Sequence, residues 1–292
     1  MSRCPHADVG SRLSTPIATA LVETGPRRGS LAQPWERLPF RRPIALTLTV
    51  AILVITAVLW IRDWDLVVSQ WGNDLEFFVS TASRWLATGQ FYQQRQLAGP
   101  YEVAINSDVL YPPAALLLFV PFVWLPAILW WLIPIGIVSW SVARSRPSWA
   151  VWPFLALILW FPRTQSIIVW GGTSMWIAAF VALGLSSRWP AALVMIKPTL
   201  APFALIGVRS RWWWAAGFAL FALSIGMLTD YLTAMDNMEG AFATIYYSVQ
   251  DFPTIAIPLV AWLARKKSLG DPESNHVDPR TSIDRSRPLD PG

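Results

Sequence analysis

The chain has 292 residues, of which 54% are hydrophobic and only 14% charged, with 19 tryptophans and a formal net charge of +5. So apolar a composition excludes an ordinary soluble domain and points to a polytopic membrane protein, in which a basic excess signals topology and not a nucleic-acid partner. The single Cys4 excludes an internal disulfide, and His6 and His276 both fall in polar tails. Neither a zinc site nor a histidine-based triad is therefore expected in the folded part, and no metal or other cofactor is expected.

Residues 1–42 carry seven arginines without an apolar core or cleavage site, and are expected to form a disordered cytoplasmic tail. Residues 43–61 are apolar throughout and follow Arg41-Arg42, so they form the first expected span, with its N-terminus cytoplasmic. The polar loop 62–111 is then extracytoplasmic, and its length alone suggests function. Inside it, Leu75, Phe78, Ala82 and Trp85 recur at helical spacing, with Asn73 suited to an N-cap and Gly89 to a stop. This pattern predicts an amphipathic helix over Asn73–Thr88, resting at the membrane interface with its aromatics toward headgroups or the bundle.

Beyond Tyr111 the apolar runs are 112–125, 127–143, 149–161, 170–185, 189–208, 212–229 and 252–263. Counting each as one crossing gives an all-α polytopic bundle of about eight transmembrane helices, covering 43–264, with both termini inside. The loops 62–111 and 230–251 then share the outer face. That count leaves Arg144, Arg146 and Arg188 outside, against the positive-inside bias, so one pair of runs is a candidate hairpin. Residues 265–292 open with Arg265, Lys266 and Lys267, lack aromatics, and are expected to be a second disordered cytoplasmic tail.

No acidic residue lies between Asp108 and Asp230, so the carboxylates of the folded part are confined to the two loops. Asp74 and Glu76 would sit in a first helical turn, where they complement the helix dipole, and local energetics alone accounts for both. With no histidine available, however, proton abstraction at the outer face falls to a loop carboxylate. Lys197 is the only lysine in the acid-free stretch and precedes Pro198 in the middle of 189–208. A charge at that depth faces an interior or a wet cavity, and with no acid in the stretch its expected partner is a lipid phosphate. Tyr111, before Pro112-Pro113, sits at a helix start whose free N–H groups also suit a phosphate. Glu76, Gln165, Tyr246 and Tyr247 are the candidate sugar contacts.

These features, in order, resemble glycosyltransferase family 87, enzymes of the GT-C type that include polyprenol-phosphate-mannose-dependent mannosyltransferases. The matching pieces are Asn73-Asp74-Leu75-Glu76-Phe77-Phe78, Ala87-Thr88-Gly89-Gln90-Phe91-Tyr92, Tyr111-Pro112-Pro113 leading to Pro121 and Leu125-Pro126, the region from Pro162 to Ser174, and Ile196-Lys197-Pro198-Thr199. They cover roughly residues 43–230, in what would be a short member. The resemblance implies a GT-C-like bundle and a hexosyltransferase in which Asp74 is general base. Its donor is a polyprenyl-phosphate sugar, mannose among the sugars, with Lys197 and Tyr111 at the donor phosphate. The acceptor is a lipid or glycan at the outer face of a multi-pass cell-membrane protein, a bacterial plasma membrane being expected. A non-catalytic protein that keeps the fold and binds polyprenyl-linked glycolipid is the alternative.

Overall fold

The computed structural model describes residues 41–104, 107–239 and 248–265. The expected tails fall almost wholly outside these residues, as do Tyr246 and Tyr247. The described chain is mostly helical. Its helices are α1 Arg41–Arg62, α2 Trp64–Gln70, α3 Asn73–Thr88, α4 Gln94–Ala98, α5 Leu116–Phe119, α6 Leu129–Ser145, α7 Trp152–Trp160, α8 Pro162–Trp170, α9 Ser174–Ser187, α10 Arg211–Ser224, α11 Leu228–Asp236 and α12 Phe252–Leu263. Two candidate membrane spans are long and apolar enough to cross, Arg42–Arg62 and the nearly continuous Arg211–Asp236. A third is added if Trp149–Trp160 and Pro162–Trp170, bent by 62° at their junction, count as one. The spans α1 and α10 turn Ile55, Val58, Phe218 and Phe221 outward, each more than half exposed, as a lipid-facing surface requires.

The amphipathic segment forms the expected helix. α3 runs over the residues read from the sequence, buries Leu75, Phe78 and Ala82, and stops at Gly89 in the left-handed conformation. Its aromatic face packs into the bundle: Phe78 stacks on Phe119 at 4.5 Å and lies 5.7 Å from Trp130. Asn73 is not its N-cap. That position belongs to Gly72, at φ 81°, whose N–H donates to the Val169 carbonyl at 2.9 Å and so ties the helix start to the end of α8.

The run 189–208 is not one helix. It forms two 3-10 segments, Trp189–Ile196 and Pro198–Gly207, each with a proline in its first two residues, which lacks a helical donor. They fold back on one another with Lys197 at the tip. The arms begin and end together, since a Cβ on Gly207 would stand 2.1 Å from the Arg188 carbonyl oxygen. This hairpin keeps Arg209 on the side of Arg188, and the misplacement of Arg144, Arg146 and Arg188 is resolved by the 112–125 run, which stays at one end. α9 starts beside Lys197 and runs about 21 Å to Arg188. α6 starts where Trp130 donates to the Gly171 carbonyl and ends at Arg146, next to Pro147, which pairs with Arg265. Arg144, Arg146, Arg188, Arg209, Arg211 and Arg265 therefore gather at one end of the bundle. The expectation that three of them oppose the rest is corrected.

The acidic loops meet at the other end. Tyr101–Glu102 pairs in parallel with Met238–Glu239, and the Tyr101 hydroxyl donates to the Ala234 carbonyl at 3.1 Å. The 112–125 run also stays at this end: Tyr111 lies beside Thr173, while Phe122 packs edge-on against Trp130 and Trp176.

Closing the hairpin without a side chain at Gly207 yields a test. A methyl there would enter the Arg188 carbonyl and the Trp213 ring, whereas a Cβ on Gly136 meets nothing within 4 Å. Gly207→Ala is expected to lower the melting temperature in detergent by several degrees, and Gly136→Ala, inside α6, to leave it equal or higher. Equal melting of Gly207→Ala and the wild type would mean that the arms do not close as described.

Candidate functional site

Four elements converge on one carboxylate. Asp251, directly before α12, is 1% exposed in its side chain. Its Oδ1 accepts from Arg163 Nε at 2.8 Å, near the start of α8, and its Oδ2 accepts from Lys197 Nζ at 2.6 Å, at the hairpin tip. The Ser174 hydroxyl, at the start of α9, donates to the same Oδ2 at 2.6 Å and accepts from Lys197 at 3.0 Å. Burial by itself raises the Asp251 carboxyl, but Lys197 and Arg163 together with the Lys197 and Ser174 hydrogen bonds outweigh it and hold the group below its usual range.

Asp74 faces this cluster from the first turn of α3. Its Oδ2 stands 3.3 Å from where a Cβ on Gly172 would lie, so the glycine admits the carboxylate against the start of α9. Gly171 is fixed too, because it sits at φ 78° with Trp130 and Trp131 closing over it. Trp130 Nε1 donates to the Gly171 carbonyl at 2.7 Å and Trp131 Nε1 to that of Ile168 at 2.6 Å, which holds the turn from α8 into α9 in place. Among the described residues Asp74 makes no hydrogen bond or contact ion pair. Burial, only partly offset by Arg163 and Lys197 and reinforced by the negative charge of Asp251, pushes its carboxyl up to about 6. A half-buried carboxylate without a partner, close to neutral in its titration and set against two cations, can accept a proton from a bound hydroxyl.

Tyr111 also belongs here. Its hydroxyl and that of Thr173 are 2.8 Å apart, and its ring meets Phe78 edge-on at 5.6 Å. Glu76, two residues from Asp74, is exposed. Gln165 accepts from Trp60 Nε1 of α1 at 3.2 Å and donates to the Trp160 carbonyl at 2.9 Å, so its amide links α1 to the bend between α7 and α8. The expectation that Lys197 lacks an acidic partner is corrected, since Asp251 supplies one from beyond the acid-free stretch. Sequence reasoning passed over Asp251, Arg163 and Ser174. The pairs lie 88 and 54 residues apart, and only the proline before Arg163 and the apolar run after Asp251 hinted at helix starts.

Beside the cluster, an apolar cavity of about 410 Å³ opens between α6, α7, α9 and α12, lined among others by Pro134, Val138, Trp152, Leu155 and Ile257. It reaches Thr164 and Thr254, neighbours of Arg163 and Asp251 in sequence, which share a hydrogen bond of 3.0 Å. Its lining is apolar apart from Ser139, Thr164 and Thr254.

No family model matches the chain, and neither a curated protein nor a solved structure matches it.

The raised carboxyl fixes a sign. A carboxyl whose folded pKa lies above its ordinary value contributes stability at low pH and loses it as pH rises through about 6. Asp74→Asn, uncharged throughout, is expected to be more stable than the wild type near pH 8 by on the order of 1–3 kcal/mol, with the advantage vanishing near pH 4. Chemical denaturation at the two pH values measures it. A variant less stable near pH 8 would assign Asp74 to helix-dipole support instead.

Proposed function

We propose that the protein is a membrane glycosyltransferase of GT-C-like architecture that moves a sugar from a polyprenyl-phosphate donor to a lipid or glycan acceptor at the outer face. The observation that carries this reading is the unpartnered Asp74 carboxylate facing the Arg163–Asp251–Lys197 cluster. Asp74 accepts the proton of the acceptor hydroxyl while that oxygen attacks the sugar's anomeric carbon. The bond from that carbon to the phosphate oxygen breaks, and its electron pair leaves on the polyprenyl phosphate. A single displacement of this kind inverts the anomeric carbon. Arg163 and Lys197 stabilise the negative charge that grows on the phosphate, which is where fixed charge contributes most to rate. The Tyr111–Thr173 pair and the start of α9 lie on the same side, and the apolar cavity supports a lipid-linked donor over a nucleotide-linked one.

The charge segregation supports a topology with the arginine end in the cytoplasm. On this reading the chain crosses six times: 113–123 and the Lys197 hairpin return to the end from which they start, so two of the eight apolar runs are not spans. The parity is unchanged, and both termini are inside. In a Cys4→Ser background, Glu102→Cys is expected to react with an impermeant maleimide on intact cells, and Ser187→Cys only after permeabilisation. Reaction of both from outside would overturn the topology.

Transfer itself is tested with purified protein, a short-chain polyprenyl-phosphate sugar and membrane lipid extract as acceptor. Asp74→Asn is expected to reduce turnover about a hundredfold or more while donor binding persists. Wild-type turnover is expected to fall on the acid side with an apparent pKa near 6, because the base must be ionised. Turnover within a few-fold of the wild type in Asp74→Asn would remove Asp74 from the chemistry, and donor binding with no turnover in either protein would favour the glycolipid-binding alternative.

A further inference from the structure

At the end of the bundle away from Asp251, α6, α9 and α12 finish together. All three start near the Asp251 cluster and pack on one another, so their carboxyl ends gather at Arg146, Arg188 and Arg265. Arg144, Arg146, Arg188, Arg209, Arg211 and Arg265 are all exposed, and among the described residues none of them forms an ion pair and no carboxylate lies with them. The partial negative charge of the helix ends, about half a charge apiece, leaves this surface strongly positive. Three of the guanidiniums lie over indole rings, Arg144 on Trp140 and Arg211 on Trp212 at 5.5 Å and Arg265 on Trp262 at 4.4 Å. Trp140, Trp189, Trp212 and Trp214 are each about half exposed or more. A positive surface collared by exposed indoles meets its anion at the edge of hydrocarbon, where lipid headgroups lie and nucleic acids do not.

Two of these residues carry a further signal. Among the described residues, Arg146 at φ 44° and Arg188 at φ 63° are the only ones other than glycine with a positive φ, and they end α6 and α9 where glycine is the favoured cap. The helix dipole does not require this, since a cation in the last right-handed turn serves it equally, as Arg144 does for α6. Side chains kept where the backbone opposes them point to a role outside the local fold.

We propose that this end of the bundle docks the anionic phospholipid headgroups of the leaflet it faces, with Arg146 and Arg188 as the residues that select them. A headgroup of net negative charge meets only cations there. A zwitterionic one brings an ammonium for which the described surface holds no carboxylate. The inference is independent of the transfer reaction, and the topology above serves only to name the leaflet as cytoplasmic.

Calorimetric titration of the full chain in a non-ionic detergent with dihexanoyl phosphatidylglycerol and dihexanoyl phosphatidylcholine tests it. Both lipids carry the same phosphodiester, so the ratio of affinities reads headgroup charge. Wild type is expected to bind the glycerol lipid about tenfold more tightly, a preference that shrinks as salt is raised. Arg146→Gln combined with Arg188→Gln removes the charges at unchanged backbone strain, and should cut the preference by about fivefold or more. Arg146→Gly combined with Arg188→Gly should cut it as far while the melting temperature stays equal or rises, because the strain is relieved. Arg62→Gln, at the acidic end and beyond the reach of unscreened charge, should leave the preference within about twofold. A wild type that binds the two lipids alike, or an unchanged preference in the glutamine pair, overturns the inference and leaves the reaction at Asp74 standing. A glycine pair that melts well below the wild type would instead assign the two arginines to the fold.

Discussion

The buried carboxylate of Asp251 is the contact on which the arrangement depends. It stands at the start of α12, and the start of α8, the start of α9 and the tip of the Lys197 hairpin each deliver a donor to one of its two oxygens. A buried charge of either sign is strongly unfavourable when unpaired, so these elements settle together or not at all. The Gly171 turn under Trp130 and Trp131 then brings the start of α9 up to Asp74, and α3 stays in place because Phe78 is locked between Phe119, Trp130 and Tyr111. The aromatic richness of the chain thus serves the interior as well as the lipid boundary.

Much of the local structure is legible in the sequence because it follows from short-range periodicity. α3 appears with its buried stripe and its glycine stop, and the first span is placed to within two residues. Legibility fails where a run of apolar residues looks alike as a span, a hairpin or a packed loop. The 189–208 segment has the composition of a transmembrane helix, yet Pro190, Pro198 and Pro202 break its hydrogen-bond ladder and Gly207 allows the returning arm to touch Arg188. The clue was electrostatic: arginines on the wrong side of an eight-crossing count signal that some run does not cross.

The candidate site was half legible for the same reason. Asp74 and Lys197 stand out because each is a charge in a charge-poor setting, and the structure brings them to one place. Asp251 does not stand out, being one acid among several in a polar loop, and its pairing with Lys197 spans 54 residues. The Lys197 ammonium was expected to need a lipid phosphate as its only counter-ion. The structure gives it an internal one, the Asp251 carboxylate, which Arg163 shares. Gln165 carries a structural part that its sequence position does not reveal, since its amide ties Trp60 of α1 to the bend between α7 and α8.

The central claim is that a lipid phosphate docks on Arg163 and Lys197 opposite Asp74, and a density map of the purified protein with a short-chain isoprenyl phosphate tests it most directly. Phosphate density within hydrogen-bonding distance of Lys197 Nζ and the Arg163 guanidinium, with the isoprenyl chain entering the α6–α7–α12 cavity and Asp74 facing the phosphate across open space, is the predicted result. Phosphate bound instead at the arginine end near Arg188 and Arg265, with the Asp251 cluster unvisited, would contradict it.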